Sequence, residues 1–162
     1  MKRLSIAACC GVLALVLGCS AAFAQPAIIP HLGRAPHDAN ATFRTLKSYF
    51  ADTALSQFRL VSADPATRTI VAKRSAIDSA TWTKWAYCKM SATHLIDSLN
   101  DASATVNVKI DRDGHHASEV RVGADFEGTY GLGSNVTTQQ CISNGMLEQS
   151  ILVTAGVPAA AN

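Results

Sequence analysis

Beyond its first 24 residues this 162-residue chain has only two cysteines, Cys88 and Cys141, few aromatic side chains and no run of like charge. Each shortage excludes something. Two cysteines cannot build a Cys-rich zinc site by themselves, and the five histidines, His31, His37, His94, His115 and His116, are too scattered to complete one. The formal charge is +2, from 14 basic and 12 acidic side chains, and removal of Lys2 and Arg3 with a leader would leave twelve of each. They are spread without runs, so the basic stripe that nucleic acid or anionic lipid needs is missing. The longest apolar run, Leu4 to Leu17, is broken by Ser5 and Gly11 and falls short of the roughly 20 residues of a spanning helix.

Motifs are equally scarce. There is no G-x-S-x-G elbow to present a nucleophile. Gly131-x-Gly133 lacks the third glycine and the lysine of a phosphate loop. Asp111 and Asp113 open like a calcium loop, but His115 stands at the third acidic position and no glutamate closes it. The sequence therefore calls for no cofactor, no metal and no catalytic residue.

What is present begins with an export signal. Lys2 and Arg3 are followed by the apolar run and then by Ala21-Ala22-Phe23-Ala24, in which Ala22 and Ala24 form the A-x-A pattern of signal peptidase cleavage. Residues 1–24 are expected to be removed, with Gln25 as the new N-terminus. Val16-Leu17-Gly18-Cys19 resembles the lipobox of bacterial lipoproteins, which would make Cys19 a lipidation site, although Leu17 stands where such boxes carry a smaller residue. Ordinary cleavage is the preferred expectation, giving a periplasmic or secreted protein. A membrane-anchored lipoprotein is the alternative. In either compartment the even pair Cys88 and Cys141 predicts one disulfide.

The remaining 138 residues (162 less 24) suit a single domain. Residues 25–39, with Pro26, Pro30, Gly33 and Pro36, predict a flexible linker. From Asn40, the residues Phe43, Leu46, Phe50 and Ala54 recur at helical steps behind a cap at Asp38 or Asn40. Phe58–Val61 and Thr69–Arg74 flank the turn residues Asp64-Pro65 and predict a hairpin. Lys84–Met90 is expected as a third strand carrying Cys88. A second hairpin is clearer: residues 105–110 and 118–126 alternate on either side of Asp113-Gly114. Past the turn at Gly131–Ser134, Thr137 and Gln140 have capping-box spacing, which predicts a helix from there containing Cys141, with Gly145 in its middle. Residues 157–162 should fray.

The expected fold is thus α+β: an antiparallel sheet of four or five strands, from two hairpins and a middle strand, with an N-terminal and a C-terminal helix on one face, spanning 40–156. The disulfide would join the middle strand to the last helix. Trp82, Trp85 and Tyr87 are the candidate binding residues, because aromatic side chains give large contact area at low entropic cost, and core packing is the competing role. The functional expectation is a small non-enzymatic module that binds or scaffolds another envelope protein or cell-envelope component. A periplasmic inhibitor or immunity-type protein is the next alternative, and a small hydrolase the last.

Overall fold

Strict alternation of apolar with polar residues makes the centre of the molecule a long antiparallel hairpin. In the computed structural model, which describes residues 31–88, 99–132 and 134–159, this hairpin is β5 (Leu99–Asp113) and β6 (Ala117–Leu132). Its turn has Gly114 at φ +77°, the positive value that glycine accepts without a Cβ penalty. Ala102, Ala104, Val106, Val108 and Ile110 on β5 and Val120, Val122, Ala124 and Phe126 on β6 are all buried, as side chains of period two on one face must be together. The intervening residues, such as Asn107, Arg121 and Glu127, are exposed on the other face.

The remaining strands are β1 (His31–Ala35), β2 (Arg59–Asp64), β3 (Thr69–Arg74), β4 (Ala86–Tyr87) and β7 (Asn135–Ser143). With β5 and β6 they form, among the described residues, one antiparallel sheet of seven strands, six in the order β2-β3-β5-β6-β7-β4 and the seventh, β1, paired to β6 off that path. β1 lies beside β6 at Ser118–Val122, and β7 runs beside β6 from Phe126 to Leu132, so the two share one side of that long strand. Seven strands exceed the expected four or five, because β1 and β7 were not foreseen.

Among the described residues there are four helices: α1 (Ala39–Ala51), α2 (Thr53–Ser56), α3 (Ser79–Trp85) and α4 (Met146–Thr154). α1 is capped by Asp38, whose carboxylate accepts from the amides of Asn40 and Ala41. It buries Phe43, Leu46 and Phe50, and its Thr42 hydroxyl lies 2.9 Å from that of Ser118 on the buried side of β6. Ala54, expected on the same stripe, falls in α2 and is exposed. α4 contributes Leu147, Ile151 and Leu152 to the same apolar core. Burying a side chain the size of Leu46 or Phe50 is worth about 1.5–3 kcal/mol relative to leaving it exposed.

Several local expectations are corrected. Residues 31–35 of the supposed linker form β1, and Gly33 is needed there: a Cβ on it would stand 2.8 Å from Val157 and 3.1 Å from Leu152. Val157, placed by sequence in a fraying tail, packs on the core, and its amide donates to Leu152 O at 3.0 Å. Among the described residues of the strand expected over Lys84–Met90, Ala86–Tyr87 are strand and Lys84 and Trp85 are helix, because Asp78 caps α3 and the helix runs on through Trp85. The helix expected from Thr137 is instead β7, so Cys141 sits on a strand. α4 starts after Gly145, which is its N-cap at φ +86° and lies outside the helix interior. The export segment with Cys19, residues Lys89 and Met90, His94 and Gly133 lie outside the described residues.

The helix and turn caps carry a testable pH dependence. Hydrogen bonds from the amide of Ala41 to Asp38, from the Thr67 hydroxyl to Asp64 and from Thr81 to Asp78 hold these three carboxyls below the ordinary value of 3.8. A carboxyl with a depressed native pKa adds stability above its unfolded value and loses it as pH falls through its native value. Asp125 has the opposite sign, its carboxyl being raised by burial, so it favours folding more as it protonates. With three groups against one, the melting temperature should hold steady down to about pH 4 and decline below it. Thermal melts of the wild type and of Asp78→Asn across this range check it: the variant should show a shallower decline.

Candidate contact surface

The aromatic residues singled out by sequence gather where α3 meets the end of the sheet, and the local geometry separates their roles. Asp78 accepts from the amide of Thr81 at 2.8 Å, which starts α3 and sets Trp82 and Trp85 one helical turn apart. Trp82 is 3% exposed, with its ring edge-on to Phe126 at 5.6 Å between centroids. The room for it comes from Gly128: a Cβ there would stand 3.2 Å from the indole of Trp82 and 2.8 Å from the ring of Tyr130.

Trp85 is half-buried between Phe58, at 5.9 Å, and the guanidinium of Arg74, at 5.2 Å from its ring centroid. Arg74 comes from the last position of β3, opposite Ala104, and so points to the same side of the sheet as the core. Its Nη2 is 3.6 Å from Asp78, and its Nη1 is buried without a hydrogen-bond partner among the described residues. Stacking on an aromatic face offsets part of that loss, since the ring's negative face attracts a cation.

Tyr87 is 53% exposed. It pairs with Ile142 and faces away from the core, while its neighbour Ala86 faces inward. Trp82, Trp85 and Tyr87 therefore do not share one surface: the first is core, the second a wedge at the core's margin, and only the third is free to touch a partner.

Next to Tyr87 the chain is fastened by the disulfide Cys88–Cys141, with its Cα atoms 4.4 Å apart. The bond joins the end of β4 to β7, a correction to the expected link between a strand and the last helix. Tyr130 donates its hydroxyl proton to Cys88 Sγ at 2.9 Å. Sequence reasoning missed Tyr130, Gly128 and Arg74. A signal existed for the first two, since a glycine two residues before a tyrosine on an alternating strand leaves space on the face that the tyrosine occupies.

At the far end of the β5–β6 hairpin, Asp38, Asn40, Arg112, Gly114 and His115 line an open cleft of about 400 Å³. His115 and His116 lie at this tip with ring centroids 6.4 Å apart. Among the described residues no group of three or more His, Cys, Asp or Glu side chains converges as metal ligands would.

No family model and no curated protein matches the chain. Among solved structures, a DUF4468 family protein from Bacteroides ovatus is similar with a TM-score of 0.44 and 13% identity, over 83% of this chain and 89% of that one. No assignment is drawn from a similarity of that degree.

Proposed function

We propose that this chain is a small exported protein of the bacterial envelope that acts by contact, without turnover, on another envelope protein or cell-envelope component. The three-zone N-terminal sequence with its A-x-A site supports export, and the Cys88–Cys141 bond fits an oxidising compartment. The observation that carries the contact reading is Tyr87: a large, stiff aromatic side chain over half exposed on a strand that a disulfide and the Trp82 anchor hold in place. Rigid aromatic side chains lose little entropy on binding and dominate interface energetics. An inhibitor acting through the β5–β6 tip is the second reading, favoured by the 2.6 Å ion pair from Arg34 to Asp113 that braces an exposed turn.

The test is retention of partners from envelope extract by the mature protein, identified by mass spectrometry, for the wild type, Tyr87→Ala and His115→Ala. Tyr87→Ala should keep the wild-type melting curve and lose the principal retained partner. Loss with His115→Ala and full retention with Tyr87→Ala would move the site to the hairpin tip. N-terminal mass analysis of the fractionated native protein tests the address, with Gln25 expected at its start.

A further inference from the structure

β2 is an edge strand: among the described residues it pairs only with β3, and its outer backbone groups face away from the sheet. Such an edge is a template for another strand unless something blunts it. Here the strand has one extra residue, because Leu60 opposes Ala72 and Ser62 opposes Val71, which leaves Val61 in a bulge, 54% exposed. A regular strand laid along this edge would lose register at the bulge.

Charge is also unbalanced on β2. Arg59 stands directly opposite Lys73, a like-charge cross-strand pair, and no ion-pair partner for it occurs among the described residues. Opposed like charges destabilise a ladder. At the other end of the same strand Asp64 holds a carboxylate that accepts from the amide of Ala66 and the hydroxyl of Thr67 and keeps its negative charge.

We propose that the β2 edge pairs antiparallel with the β2 edge of a second copy of this chain, about a two-fold axis at Val61 and Ser62. In that register Arg59 meets Asp64 of the second copy, Leu60 meets its Ala63, and Val61 meets its Ser62, each pairing occurring twice as an isologous interface requires. Both guanidinium groups gain a carboxylate on the side away from Lys73. The bulge that excludes a regular strand is matched here, because each copy has the same extra residue between its Arg59 and its Asp64. The pairing also takes the exposed Val61 out of water and carries α2, with Leu55 67% exposed, toward the partner's turn at Pro65.

A single short strand pair with a few apolar contacts buries less than the roughly 1,200 Å² of a stable interface, so the association is weak, with a Kd of about 10–100 µM. Sedimentation velocity of the mature protein across that range should show a reversible shift from monomer to dimer. Arg59→Glu sets two carboxylates against each other at both ends and should leave a monomer that melts no earlier than the wild type, because a glutamate at this position also relieves the like-charge pair with Lys73. Asp64→Lys should do the same, and an equimolar mixture of the two variants should recover the dimer, since each then supplies the charge that the other lacks. If Asp64→Lys melts early through its lost turn hydrogen bonds, Arg59→Glu carries the test alone on an exposed side chain. A wild type that is monomeric at about tenfold above the stated range, or a dimer that Arg59→Glu leaves intact, overturns the proposal.

Discussion

Trp82→Ala should cost about 3–5 kcal/mol of folding stability, the range for emptying a large aromatic site in a core. The site cannot close over the loss, because its walls are the ring of Phe126 and the backbone at Gly128, both fixed in the sheet. Trp85→Ala should cost less, as that ring is only half-buried, and part of its cost comes from leaving Arg74 without an aromatic face. Tyr87→Ala should change stability by no more than about 0.5 kcal/mol, as surface substitutions do. Urea titrations of the three variants give this order directly. If Trp82→Ala unfolds at the wild-type midpoint, the indole is not a core residue and α3 is docked differently from its described position.

Legibility in the sequence followed the range of the interactions involved. The β5–β6 hairpin was plain because alternation and the Asp113-Gly114 turn are both local and agree, and α1 was plain because its apolar stripe and its Asp38 cap agree. β7 was misread: Thr137 and Gln140 match a capping box by spacing, yet Val136, Thr137 and Thr138 are β-branched and lie in register against Gly131, Tyr130 and Thr129 of β6. The pairing decides, and a partner strand is invisible to a local motif. The true start of α4 is built by Ser143, which accepts from the amide of Gly145 and donates to the buried carboxylate of Glu148, with Asn144 accepting from Met146. β1 was missed for a related reason: three prolines and two histidines read as linker, while the five residues that matter are held by β6 and by Val157 on Gly33. At the aromatic corner the residue types were legible and their directions were not, because one helical turn separates a core indole from a marginal one and a two-residue strand turns Tyr87 outward.

Loss of the Cys88–Cys141 bond should cost about 4 kcal/mol, from the loop-closure entropy that a cross-link over 53 residues removes from the unfolded chain. The enclosed segment contains both long strands, β5 and β6, so the unfolded chain gains freedom where the sheet has most to reassemble. In the native state the bond holds a strand of only two residues, β4, against β7, and it fixes the Cys88 sulfur that accepts from the Tyr130 hydroxyl. Cys141 is 7% exposed and Cys88 is half-buried, so a thiol reductant meets the bond from the Cys88 side. The expected behaviour is a lowered urea midpoint once the bond is gone. For a small domain with an m value of about 1–3 kcal/mol per molar urea, that energy lowers the midpoint by on the order of 2 M. Paired titrations of oxidised and of reduced, alkylated protein measure it, with the Cys88→Ser/Cys141→Ser double variant as a control free of alkyl bulk. Coincident midpoints for the oxidised protein and the double variant would mean that the bond adds nothing to folding and that Trp82 and the β4–β7 pairing suffice to hold α3 and β4.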